Sequence, residues 1–120
     1  MAQLKDLIVT GDSRFIGNIY TDYPVIAYGT SSTAAGTAAK EITLSDVSCE
    51  LKPGNIIIVK FSATNSANNP TLNINGTGAK SVWYNTALIT SSNLDKAGYA
   101  NRPIMYVYDG TQYVFMSWSN

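Results

Sequence analysis

The residues best suited to ligand binding are two tryptophans and their neighbours. Trp83, Tyr84 and Asn85 follow one another, and Trp118 lies close to the last residue of the sequence. An exposed aromatic ring can cover the apolar face of a sugar, and a neighbouring amide can hydrogen-bond to the sugar hydroxyl groups. We therefore predict that Trp83, Tyr84, Asn85 and Trp118 bind ligand.

The aromatic residues also fit a purely structural interpretation. Tyr106, Tyr113 and Phe115 lie in strand-forming segments and are expected in the core. Trp83 would then pack at a strand edge or in a contact between subunits. The position of the two tryptophans, in subunit contacts or on an open surface, separates the two interpretations.

Residue types that support catalysis or metal binding are scarce. The sequence has no histidine, which is the commonest general base and metal ligand. Cys49 therefore lacks a base to activate it, and it lies on the apolar side of an alternating segment, so we expect it in the core. The carboxylates show no spacing that predicts the converging pair a glycosidase needs. We expect no catalytic residue, no metal site, no cofactor and no enzymatic activity.

Charge and hydropathy argue against two classes of partner. Eight basic and eight acidic residues balance, and no basic run indicates a nucleic-acid-binding face. No stretch approaches the ~20 apolar residues of a membrane-spanning helix, and the first residues lack the apolar run of a signal peptide. We expect neither nucleic-acid binding nor membrane insertion. We also expect a chain made in the cytoplasm, with any exit by lysis or by assembly into a particle.

Short alternating segments separated by turn residues predict an all-β fold. The clearest are residues 104–108 and 111–116, which flank an Asp-Gly pair at 109–110. Asp-Gly favours a two-residue hairpin turn, because both central residues need positive φ. Such a turn would place Tyr106 opposite Tyr113.

Further strands are predicted upstream of this hairpin. Residues 71–75 alternate, with Leu72 and Ile74 inward, and the chain returns as 79–84 in a second hairpin. The other predicted strands are residues 40–44, an alternating segment at 47–51, and 55–63, of which the last is the longest. In this longest strand the apolar, inward face is predicted to comprise Ile57, Val59, Phe61 and Ala63, with Lys60 and Ser62 on the other face.

Residues 1–26 and 27–120 are predicted to differ in kind. The second part reads as one antiparallel, hairpin-rich β-sandwich, and its length can supply a core. The first part carries short apolar strands that are too short to be stable alone, so we expect them to pair with strands of other chains. Within the sandwich, residues 31–39 have small side chains and could form either a helical turn or an extended strap against a neighbour.

Several segments resemble a module found at the ends of tail proteins of phages and prophages of Gram-positive gut bacteria. They are YGTSSTAAGTAAK at residues 28–40, VKF at 59–61, NSANNPTLNINGTGAK at 65–80 and YDGTQY at 108–113. LIVTGDSRF at 7–15 is similar to the segment that precedes such domains in trimeric tail fibres. Ser31 stands where relatives often have cysteine.

The resemblance implies a homotrimeric, β-structured piece of a fibre, with residues 1–26 used in trimerisation. Its partners would be sister chains, other tail or baseplate proteins, and a bacterial cell-surface polysaccharide. Its place would be the virion tail, outside the host, after synthesis in the host cytoplasm. The preferred hypothesis is a receptor-binding module that attaches to a surface glycan without catalysis. The alternative is a purely structural trimeric component of a fibre or particle, with no ligand of its own.

Overall fold

A computed structural model describes residues 26–45 and 50–118 of the chain. The regular structure in these residues is eight β-strands and one short 3-10 helix, Leu94–Ala97, with no α-helix. The prediction of an all-β fold is therefore confirmed. In chain order the strands are β1 (Ile26–Ser31), β2 (Ala39–Leu44), β3 (Ile56–Phe61), β4 (Thr71–Ile74), β5 (Ala79–Tyr84), β6 (Ala87–Leu88), β7 (Pro103–Tyr108) and β8 (Tyr113–Trp118).

Seven of these strands close into a barrel. The order around the barrel is β1, β3, β7, β8, β5, β4 and β2, after which β2 pairs with β1 again. The pairing of β4 with β5, in which Thr71 lies opposite Ser81, closes the ring. β6 pairs with the end of β5 and is an addition to the ring. The predicted antiparallel β-sandwich is therefore wrong.

The error has its origin in three parallel strand pairs, β1–β3, β2–β4 and β5–β8. A hairpin signal reports only antiparallel strands that are joined by a short turn. Parallel partners lie far apart in the sequence, so no local pattern reveals them. With these pairs formed, β4 has a partner strand on each side. The sheet therefore has no free edge at β4, whereas a two-sheet sandwich would leave one.

Alternation along β1, β2, β3, β4 and β7 sends every second side chain into the barrel. Ile57, Val59 and Phe61 of β3 are buried, as are Leu72 and Ile74 of β4. The inward faces predicted for both strands are thus confirmed. Aliphatic and aromatic side chains fill the interior, as in other small barrels.

The β7–β8 hairpin is confirmed, but its predicted register is wrong. Tyr106 pairs with Phe115 rather than with Tyr113, and Tyr108 pairs with Tyr113. The loop between the strands therefore comprises residues 109–112 instead of the two residues expected. Every pair near the turn is displaced by two positions, which keeps Tyr106 and Tyr113 inward, because a shift of two preserves the face.

The longer loop has a cause in Asp109. Its carboxylate accepts hydrogen bonds from the backbone N–H groups of Thr111 and Gln112, at 2.9 and 3.0 Å. The backbone N–H of Asp109 in turn donates to the carbonyl of Gln112. An aspartate that binds its own downstream backbone in this way stabilises a turn of its own, which competes with the two-residue form.

Within residues 31–39, Ser31 ends β1 and Ala39 begins β2. The chain between them makes a reverse turn, in which the N–H of Thr37 donates to the carbonyl of Ala34. The segment contains no helix and is not an extended strap. Lys40 is buried, and its Nζ donates to the carbonyls of Ala34 and Ala35, at 3.0 and 3.3 Å. Burial lowers the pKa of this amine. The turn is thus held from within the barrel.

The remaining predictions concern individual strands, Cys49 and the N-terminal segment. β2 confirms the predicted strand at 40–44, and β3 is six residues long, no longer than β1, so its expected greater length is wrong. Cys49 lies outside the described residues, as does the predicted N-terminal segment apart from Ile26, which begins β1. The sequence patterns did not predict β1.

Candidate functional site

Trp83, Tyr84 and Asn85 lie at the end of β5 with different orientations. Val82 is buried, so alternation places Trp83 on the outer surface of the barrel and Tyr84 on the inner side. Asn85 is exposed in the turn between β5 and β6, with a φ of 59° that asparagine tolerates. Trp83 and Tyr84 therefore do not face a common site.

Tyr84 and Trp118 belong to an aromatic cluster at one end of the barrel, where the parallel strands β5 and β8 both end. Phe115 lies between them, with ring centroids 5.5 Å from Tyr84 and 5.4 Å from Trp118. The Nζ of Lys96 lies over both outer rings, 4.9 Å from the centre of Tyr84 and 4.4 Å from that of Trp118. Arg102 also lies over Trp118, at 5.1 Å.

These cations occupy ring surfaces that a sugar would need for stacking. Of the four predicted residues, the structure thus brings Tyr84 and Trp118 into one cluster. Their rings already contact other side chains of the same chain. The other two, Trp83 and Asn85, lie on the outer surface and in an adjacent turn. The predicted ligand-binding set does not converge on one surface, although its individual residues stay open to test.

A polar groove lies on the outer surface where β2, β1 and β3 are neighbours. Its volume is about 570 Å³, within the range typical of small-molecule sites. We define this polar groove by six exposed side chains that point outward from the three strands and their ends: Thr30, Ser32, Glu41, Thr43, Lys60 and Ser62.

Strand register arranges these side chains in two rows. Thr30 lies between Thr43 on β2 and Lys60 on β3, at the usual strand spacing of about 4.8 Å. Two positions further along the chain, Ser32, Glu41 and Ser62 form the second row of the lining. The N–H of Ser62 donates to the carbonyl of Ser31 at 3.0 Å, which extends the β1–β3 pairing to the second row.

Short-range hydrogen bonds fix the wall of the groove. The hydroxyl of Ser31 donates to that of Thr33 at 3.3 Å, and Thr33 Oγ1 accepts from the backbone N–H of Glu41 at 3.0 Å. On the far side, the N–H of Asn101 donates to the carbonyl of Phe61 at 2.8 Å and brings the Asn101 side chain to the rim. The groove is therefore preorganised by backbone contacts.

The chemistry of the groove is that of hydroxyl recognition. Within the described part of the chain, no hydrogen bond or ion pair engages the side chains of its six residues, so their donors and acceptors face solvent. Four hydroxyls, one carboxylate and one amine offer both donors and acceptors at strand spacing. Glu41 is the one carboxylate in its lining.

These residues were missed in the sequence-based prediction of the site. One signal was present, because Lys60 and Ser62 interrupt an apolar strand on the face opposite to Ile57 and Val59. The remainder depends on β1, which no pattern predicted. Only the pairing of β1 with both β2 and β3 brings Thr30 between the two other strands.

Comparisons with protein-family models, curated proteins and solved structures found no match. Among the described residues, no three histidine, cysteine, aspartate or glutamate side chains are grouped as metal ligands. None of the described helical structure has the length and hydrophobicity to cross a bilayer. The function must therefore be argued from the groove and from the sequence resemblance.

Proposed function

We propose that this protein is a receptor-binding module of a phage or prophage tail fibre, and that its polar groove binds a bacterial surface polysaccharide without cleaving it. The observation that carries the proposal is the double row of polar side chains without protein partners on three adjacent strands and at their ends. The sequence resemblance to tail proteins supports the biological setting. In that setting the chain is part of a homotrimer, joined to other tail or baseplate proteins and active outside the host.

A saccharide fits the groove because its hydroxyl groups both donate and accept. Thr30, Thr43 and Ser62 can do the same, while Glu41 accepts and Lys60 donates. A net contribution of about 0.5–1.5 kcal/mol per hydrogen bond, over several bonds, corresponds to weak binding by one groove. Three grooves on one trimer engaging a repeating polymer raise the overall affinity, because the second and third contacts are intramolecular.

Binding of purified wall polysaccharide to the intact protein tests this proposal. Thr43→Val removes one hydroxyl from the groove while keeping the side-chain shape, and we expect the dissociation constant to rise at least several-fold. The matched control is Thr71→Val, the same substitution at an outward position of β4 outside the groove, which should leave binding unchanged. Trp83→Ala tests the aromatic prediction in the same assay.

The outcomes discriminate between sites. Loss of binding in a Trp83→Ala variant that still assembles like the wild type, with normal binding in Thr43→Val, would move the site to the aromatic residues and overturn the assignment of the groove. Folded wild-type protein that assembles but binds no wall polysaccharide would contradict the receptor role.

A purely structural role is the second candidate. It is favoured by the surroundings of Trp83, whose register partners on the outer surface are Val114 and Leu88. Apolar neighbours suit a subunit contact better than a sugar site. The structural role predicts normal assembly with no polysaccharide binding by any variant.

A further inference from the structure

An apolar row crosses the outer surface of the barrel. Its members are register partners on six neighbouring strands, namely Ile26, Ile56, Val107, Val114, Trp83 and Leu88. A second row beside it contains Tyr28, Ile58 and Met105, with Met116 next to the strand irregularity of the β7–β8 pair. We call the ten residues of these two rows the apolar belt.

The belt faces outward throughout. The strand neighbours of its members, such as Ala27, Ile57 and Val82, are buried inside the barrel. Ile26 is 69% exposed and Met116 53%, and the interior members of the belt are partly exposed. These side chains are therefore not part of the barrel core.

Size and composition set the belt apart from scattered surface apolar residues. Five strand-to-strand steps of about 4.8 Å give a length of roughly 24 Å, and two rows give an area on the order of 400 Å². That is comparable with the largest apolar patch of a typical monomer, which is often an interaction site. The belt contains no charged side chain. It has the composition of the apolar centre of an interface with a polar rim.

The extent of the belt around the barrel indicates the occupant. It covers five of the seven barrel strands, which is more than half of the circumference. One compact partner cannot contact so much of a convex surface, whereas two neighbours can. In a closed ring of three identical chains, each chain has two neighbours, and one end of each belt meets the other end of the next. Copies of this chain suit the contact, because only 13% of its residues are charged and few ions need to be desolvated.

We propose that the apolar belt is the contact surface between copies of this chain and that each barrel packs against two others. The inference takes the trimer from the proposed function and assigns the surface that forms it. It does not depend on the polar groove, since no groove residue belongs to the belt.

Solution mass of the full chain tests the inference. Light scattering at micromolar concentration should give three times the 12.9 kDa of one chain. Val107→Glu places a charge at the middle of the belt and should give a folded monomer, with the dissociation constant of the assembly raised at least 100-fold. Thr71→Glu, the matched control on the outer surface of β4, should remain trimeric. Circular dichroism and thermal unfolding verify the fold of each variant.

Ile26→Glu provides a second variant in case Val107→Glu fails to fold. Ile26 is the first residue of β1 and the most exposed large apolar side chain of the described residues, so a charge there leaves the barrel intact. A trimeric wild type with folded, trimeric Val107→Glu and Ile26→Glu variants would overturn the assignment of the belt and leave the proposed trimer standing. A wild type that is monomeric would overturn both. A folded Val107→Glu monomer that still binds polysaccharide weakly would support the belt and the groove separately.

Discussion

At Gly29, β1 and β2 approach so closely that there is no room for a side chain. A Cβ at this position would lie 2.8 Å from the backbone oxygen of Thr43 and 3.0 Å from side-chain carbons of Ile42 and Leu44. Because backbone atoms cannot move aside without separating the strands, we expect Gly29→Ala to lower the free energy of unfolding by about 1–3 kcal/mol.

Urea unfolding of Gly29→Ala and of Gly36→Ala measures this effect. Gly36 is the matched control, since a Cβ there would meet no atom within 4 Å, and its substitution should change stability by less than about 0.5 kcal/mol. A Gly29→Ala variant as stable as the wild type would contradict the close approach of the two strands.

The carboxylate of Asp109 provides a prediction about pH. The backbone N–H groups of Gln112 and Thr111 donate hydrogen bonds to this carboxylate and lower its pKa below the ordinary value, and the bond from Gln112 has the larger effect. A lowered folded-state pKa means that the folded protein binds fewer protons, so this stabilisation is present above about pH 4 and is lost as pH falls through the folded-state pKa. Because the carboxylate is solvent-exposed, the effect is at most about 1 kcal/mol.

Comparison with Asp109→Asn isolates the charge. Asparagine keeps an oxygen acceptor for the turn but does not titrate, so the wild type should be slightly more stable at about pH 7 and lose this advantage progressively as the pH falls below about 4. Urea unfolding of both proteins at about pH 7 and along an acid series checks this. An advantage that persists undiminished at low pH would show that ionisation of Asp109 plays no part.

At the scale of residues, the sequence correctly predicted which side chains are buried wherever burial depended only on the alternation of polar and apolar residues. Leu72, Ile74 and Val59 are buried as their patterns required. It could not foresee that Lys96 would lie over the rings of Tyr84 and Trp118, because Lys96 reaches them from a segment that follows β6. The sequence around Tyr84 or Trp118 contains no pattern from which contact with a lysine elsewhere in the chain could be predicted.

At the scale of elements, the sequence predicted the position of a turn better than its length. The Asp-Gly pair correctly located the β7–β8 hairpin. The length of the turn depended on which backbone groups the Asp109 carboxylate would bind, and both forms suit the same residues. The order of the strands was therefore predictable here, while the register was not.

A hydrogen bond between elements ties the 3-10 helix to the barrel. The hydroxyl of Tyr106 on β7 donates to the carbonyl of Lys96 at 2.6 Å, and the phenol is fully buried. We expect Tyr106→Phe to lose about 1 kcal/mol, because the carbonyl loses its buried donor. Amide exchange at Gly98, whose N–H closes the helix on Asp95, should quicken, while exchange in the β3–β7 ladder should not.

Tyr28→Phe is the control for Tyr106→Phe. Tyr28 lies on the outer surface and is 43% exposed, so loss of its hydroxyl should leave exchange at Gly98 unchanged. Equal exchange rates at Gly98 in the two variants would mean that the Tyr106 hydroxyl does not hold the helix.

At the scale of the whole molecule, closure of the barrel decides which surfaces exist. A sandwich has two open sheets with free edges, whereas this barrel joins β4 to β2 on one side and to β5 on the other. The polar groove and the apolar belt both depend on the parallel pairing of β1 with β3. The sequence predicted hairpins and inward faces, but such pairing couples segments about 30 residues apart and leaves no local trace.

The closing strand β4 offers the sharpest test of the barrel. Its Leu72 side chain is wholly buried between β2 and β5, so Leu72→Ala should lower the free energy of unfolding by about 2–5 kcal/mol through lost burial and a residual cavity. Thr71→Ala, on the same strand but facing outward, should cost less than about 1 kcal/mol. Urea unfolding measures both, and an unchanged denaturant slope would show that β4 stays docked in the weakened protein. If the two substitutions cost the same, Leu72 is not enclosed by strands on both sides, and the ring of strands is open at β4.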